Sequence, residues 1–264
     1  MGEALQAQRL GNMIARDPPA PTAPRLTVVP IAWRLPDGTM PRGQQWGEGE
    51  SRVLLLHAAG GDLDAWGDLP SLLAARGFRV QTVDLPGHGL SDGPWQPDRL
   101  VALVRWLAGG EGEIVVDVEA TIASRRAPAR QPVRALERPA NATCVVGAGA
   151  SADAALRVAA DGGFAGLVAI SPTAAIDDAA GWSGVPKLIV ASSLASDEMQ
   201  VAKRLAQQGG GWTMLSTIPV AASGTALLDG AWGAQVREQI VSFLRDCQRR
   251  RRRAAPAPDS ARNR

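Results

Sequence analysis

The chain is poor in the side chains that most often carry chemistry. Its 264 residues include no tyrosine, two histidines, two cysteines and three phenylalanines. Cys144 and Cys247 lie far apart in sequence, which argues against a disulfide framework or a metal cluster, and no metal site is expected. Any step needing an imidazole must use His57 or His88. No apolar run approaches the roughly 18 residues of a membrane span. The first 25 residues also lack the apolar centre of a secretory signal. A reduced, cytoplasmic setting is therefore expected. Lysine is scarce as well, only Lys187 and Lys203 against many arginines. That balance reads as the codon bias of a GC-rich, bacterial genome rather than as a function.

What remains is the composition of an ordinary globular protein, 45% hydrophobic and 20% charged, with a net charge of +2. The charge is unevenly placed. "RRRRR" at 249–253 runs into "AAPAPDSARNR" without apolar periodicity. Like charges repel, so 248–264 is expected to be a solvated, disordered tail. Its functional alternative is a contact between Arg249–Arg253 and nucleic acid or anionic lipid. Without this tail the body is slightly acidic, which speaks against a nucleic-acid-binding core. Residues 1–24 end in "DPPAPTAPR" and are expected to form a flexible leader and Pro-rich linker. Between them, 25–247 alternates strand and helix patterns, as βαβ units do. "SRVLLLHAAGGD" reads as a buried parallel strand opening into a loop, and "LDAWGDLPSLLAARG" as a helix closed by glycine. Within 96–140, "PDRLVALVRWLAGG" and "EGEIVVDVEATIASRRA" both carry helical spacing. One α/β domain is predicted, a mostly parallel sheet with helices on both faces.

The segment "VVGAGASADAAL", residues 145–156, fits two sites. Gly147, Gly149 and Ala152 match the turn that cradles a dinucleotide pyrophosphate. That site needs an acidic residue about 20 positions on to hold the ribose. The next strand, "FAGLVAISP", ends at Ile170, Ser171 and Pro172 without one. Dinucleotide binding is thus the weaker alternative, and no cofactor is expected. The other fit is a strand–turn–helix nucleophile elbow, G-x-S-x-G, with Gly149 in the serine position.

"RLPDGT", "LLLHAAGGDLDAW", "VDLPGHGLSD", "CVVGAGASADAAL" and "SGTALL" together resemble the α/β-hydrolase superfamily over most of 31–245. The resemblance implies the α/β-hydrolase fold and oxyanion amides at Ala58 or Ala59 and at Ala150. It places Ser223 where relatives carry histidine and Ala195 where they carry the acid. Asp197, two residues on, is the nearby carboxylate offered. The resemblance puts His57 in the oxyanion strand and His88 in the "GHG" loop, and implies structural roles for both. The triad positions Gly149, Ala195 and Ser223 are then degenerate. This implies a non-catalytic binder of a small acyl, ester or carboxylate ligand, or of a protein partner. The alternative is a serine ester or amide hydrolase with a relocated nucleophile, Ser151, served by His57 and Asp197; the plainer role for Ser151 is capping or packing. Ser171, Ser192 and Ser193 also stand at strand ends, and Cys144 is expected to be buried. The short link "AAIDDAAGWSG" leaves no room for a large lid. Exposed Trp46, Trp95 or Trp182 would favour a protein interface.

Overall fold

The structure, a computed structural model, describes residues 26–109, 113–116, 143–174 and 184–254. Long apolar strands with no polar alternation must be covered on both faces, and that requirement sets the architecture. The strands are β1 (Val28–Arg34), β2 (Arg42–Trp46), β3 (Ser51–Leu56), β4 (Phe78–Val83), β5 (Glu113–Val116), β6 (Thr143–Ala148), β7 (Gly166–Ile170), β8 (Lys187–Ser192) and β9 (Thr213–Ile218). They form one sheet in the order β5-β1-β2-β4-β3-β6-β7-β8-β9. Pairing is parallel from β4 through β9 and antiparallel among β5, β1, β2 and β4.

Side chains alternate across each central strand. Leu54, Leu56, Val145, Leu167 and Ile189 enter one core. Val53, Leu55, Val146, Val168 and Val190 enter the other. Helices α2 (Leu100–Gly109), α3 (Ala150–Ala160) and α4 (Ser196–Gln208) cover the first face. Helices α1 (Leu69–Ala75) and α5 (Gly230–Ala254) cover the second. One buried polar chain crosses the sheet. The Arg52 Nε donates to Gln81 Oε1 at 2.6 Å, and Gln81 Nε2 donates to Gln45 Oε1 at 3.1 Å. Arg52 also reaches the Leu107 carbonyl near the end of α2. Burial pulls its pKa down to about 10. No helix among the described residues is long and apolar enough to cross a membrane.

Three local readings need correction. "LDAWGDLPSLLAARG" is not one helix but a 3-10 turn, Leu63–Trp66, followed by α1. Asp62 caps the turn, and Pro70 has no N–H, so it fits only in the first turn of a new helix. "EIVV" is an edge strand, β5, rather than helix; it pairs antiparallel with β1 from Ile31↔Val116 to Arg34↔Glu113. Its β-branched run fits a pleated edge better than a helix turn. Helix α5 passes Cys247, the expected end of the domain, and runs through the arginines to Ala254. Val236, Ile240, Val241, Phe243, Leu244 and Cys247 anchor it in the core. Arginine is a good helix former and suits the negative helix end. Arg249 also pairs with Asp246, and Arg250 stacks on Trp212 at 4.0 Å. The leader 1–24, most of the helical reading after Val116, the link expected to carry no lid, and residues 255–264 lie outside the described residues.

The two cysteines, remote in sequence, meet around Gly166. A Cβ at Gly166 would fall 2.6 Å from Cys247 Sγ and 3.5 Å from Cys144 Sγ. Both thiols are free and buried. Burial pushes Cys144 up to about 12 and raises Cys247 as well. Gly166→Ala is therefore expected to lower unfolding free energy by about 1–3 kcal/mol. In urea titrations Cys247→Ala should recover part of that loss, so the double variant is less destabilised than the two single effects added.

Candidate functional site

Strand β6 delivers the chain to a reversal at Gly149, with φ 55° and ψ −126°, and α3 begins at the next residue. That left-handed conformation is costly for any residue bearing a Cβ. The Gly149 N–H donates to the Ile170 carbonyl at 2.9 Å, which ties the turn to β7. The crossing is close because position 147 is a glycine. A Cβ there would lie 2.8 Å from the backbone of Ser151 and Ala152. The strand–elbow–helix geometry is therefore intact. At its apex a Cβ would meet only the Ala58 methyl, at 3.3 Å. The apex has no nucleophilic atom.

Ser151 and His57 are near one another, as a relocated nucleophile requires, but their contact runs through backbone. The buried Ser151 Oγ donates to the His57 carbonyl at 2.6 Å. The His57 Nδ1 lies 2.8 Å from the Ala58 carbonyl, and Nε2 accepts from the Leu85 N–H at 3.0 Å. Nδ1 thus carries the proton, and backbone occupies both ring nitrogens. Burial lowers the pKa of His57 below its ordinary 6.5, with the bond to Ala58 opposing. His88 braces the same loops, accepting from the Gly60 N–H at 3.0 Å and packing edge-on against His57 and Trp95. Buried Asp84 completes the bracing by accepting from the N–H groups of Leu63 and Leu90.

The carboxylate that enters the site is Glu198. Asp197 is exposed and, among the described residues, its carboxylate meets only Ser196 Oγ, at 3.3 Å. Successive helical residues point about 100° apart, and in the first turn of α4 that rotation turns Glu198 toward the sheet. Its Oε1 accepts from the Ser192 N–H and from Ser171 Oγ, both at 2.8 Å. Its Oε2 accepts from Ser223 Oγ, also at 2.8 Å. Ser171 in turn accepts from the Gly224 N–H at 2.8 Å. It is the one non-glycine with positive φ, 48°, among the described residues. Ser192 Oγ donates to the Val220 carbonyl at 2.5 Å, while the Ser193 N–H donates to the Ile218 carbonyl at 2.8 Å and its hydroxyl lies 3.4 Å from the same oxygen. Ser223, which the resemblance puts where relatives carry histidine, is thus held by a carboxylate that sequence reasoning missed. The available signal was a second acid in the first turn of α4. Ala195 is the N-cap of that helix and makes no side-chain bond.

Ala58 lies between the two halves of the site. Its methyl faces position 149 and, at 3.6 Å, the position of a Cβ on Gly224. Its carbonyl accepts from the Gly61 N–H at 3.0 Å. Ala59 is exposed, and Ala150 is half-buried at the first position of α3. No group of three His, Cys, Asp or Glu residues that could hold a metal occurs among the described residues. A groove of about 230 Å³ lies elsewhere, between the β1–β2 turn and α2, lined by Leu35, Pro86, Trp95, Leu100, Leu103 and Trp106. Trp46 and Trp95 are half-buried rather than exposed, and Trp182 lies outside the described residues.

Two expectations follow. Glu198→Ala leaves three donors without their acceptor and should cost about 2–3 kcal/mol in chemical denaturation. Glu198→Gln should cost less, and Asp197→Asn should stay within about 0.5 kcal/mol of the parent. Because folding lowers the pKa of His57, the unfolded chain takes up this proton at higher pH than the folded chain. Stability should fall as pH drops below about 6.5. The urea midpoint should drop from pH 7.5 to 5.5, and by a smaller amount in His57→Gln.

A family model described as alpha/beta hydrolase fold matches residues 51–118. Among curated proteins no sequence matches significantly. A CIB-like hydrolase of Thermoplasma acidophilum is 14% identical, with a TM-score of 0.60 over 84% of this chain and 99% of its own. A Pyrococcus furiosus esterase is also 14% identical, with a TM-score of 0.56 over 84% and 93%. A Paleococcus ferrophilus monoacylglycerol lipase is 15% identical, with a TM-score of 0.56 over 78% and 99%. Identities this low speak for the fold alone. Together with the sheet order and the elbow, they show that this chain has the α/β-hydrolase fold.

Proposed function

We propose that this chain keeps the hydrolase scaffold but performs no acyl transfer, and acts by binding. The observation that carries the reading is Gly149. It holds the elbow conformation and supplies no attacking atom. The base position supports it, since Ser223 carries no imidazole and its hydroxyl is spent on Glu198. An isolated serine needs a base to become nucleophilic.

The amides near Ala58, Ala59 and Ala150, at the start of α3, suit an oxygen acceptor. Glu198 adds negative charge on the Ser223 side of the site. A neutral ester or amide carbonyl is therefore favoured over a free carboxylate. The esterase and lipase among the structural neighbours support an acyl compound as the ligand class. The second reading, hydrolysis through Ser151, rests on its closeness to His57. It would require Ser151 to leave the His57 carbonyl and the imidazole to release a backbone partner.

Intact-mass analysis after incubation with a small fluorophosphonate tests both readings. No adduct is expected on the folded protein. A stoichiometric adduct that disappears in Ser151→Ala would overturn the binding-only reading in favour of the relocated nucleophile.

A further inference from the structure

Gln248 ties α5 to the body through Nε2 and Ser51 Oγ at 2.9 Å. Residues 249–254 are all exposed. At about 1.5 Å per residue they extend the helix by roughly 9 Å beyond that contact. Five of the six are arginines. Asp246 engages Arg249, and Trp212 lies under Arg250. Arg251, Arg252 and Arg253 have no hydrogen-bond or ion-pair partner among the described residues. Since the whole chain carries only +2, the five arginines leave the remainder negative. Positive potential is therefore concentrated at one helix end.

The arrangement discriminates between polyanions. Residues about 100° apart place arginines around the entire circumference of the helix. A helix that settles on a membrane surface presents an apolar face to it, and 249–253 has none. A DNA groove has phosphates on both walls, and the major groove, about 12 Å wide, admits a helix. We propose that the exposed end of α5 docks double-stranded DNA through its phosphates, without sequence preference. The proposal is independent of the elbow and of whether it retains chemistry.

Fluorescence anisotropy of a labelled duplex titrated with the full chain tests it. A plot of log K against log salt should be linear with a slope of about −3 to −4, as expected for four or so neutralised phosphates. Raising salt from roughly 50 to 200 mM should then weaken binding about a hundredfold. The triple variant Arg251→Gln, Arg252→Gln, Arg253→Gln should reduce the steepness by about 2–3, with a Tm within about 2 °C of the parent, because these residues are exposed. Three outcomes would overturn the proposal: no binding at the lowest salt, equal binding by the triple variant, or preferential capture of the chain by phosphatidylserine vesicles in competition with the duplex.

Discussion

The tight crossing of β6 over the start of α3 is the constraint on which the site depends. It exists because position 147 has no Cβ and position 149 tolerates a left-handed turn. The bond from Gly149 to the Ile170 carbonyl then fixes the register of the turn against β7. Ser151 clamps the helix start to the end of β3 by donating to His57. The same histidine holds the loop after β4 through Leu85. These bonds hold three strand ends together.

On the far side of Ala58 a carboxylate organises what a base would otherwise occupy. Glu198 joins the ends of β7 and β8 to the turn before α5 by accepting from Ser171, Ser192 and Ser223. Hydrogen bonds to a charged acceptor are stronger than those between neutral groups. The cluster is a static brace, with each donor satisfied and no mobile proton between a base and a nucleophile.

Much of this was legible in the residues. Continuous apolar runs announced strands buried on both faces, and glycine and proline marked the loops between them. The elbow could be read because its small-residue spacing is local. The break in "LDAWGDLPSLLAARG" has a local cause in Asp62 and Pro70; the other misreadings depended on partners distant in the chain. β5 pairs with β1, about 80 residues earlier along the chain. The arginine run is helical because the preceding turns are anchored in a core made by other strands. Choosing between Asp197 and Glu198 required knowing which way α4 rotates over the sheet. Periodicity alone does not carry that information.

Glycine at the elbow also bears on the direction of evolutionary change. A serine at position 149 would have to re-enter a left-handed conformation worth about 1 kcal/mol or more in strain. It would also press its β-carbon against Ala58. It would gain nothing until a histidine displaced the hydroxyl of Ser223 from its carboxylate. Under the proposed binding-only reading, a lone serine at position 149 would cost stability before it could add chemistry.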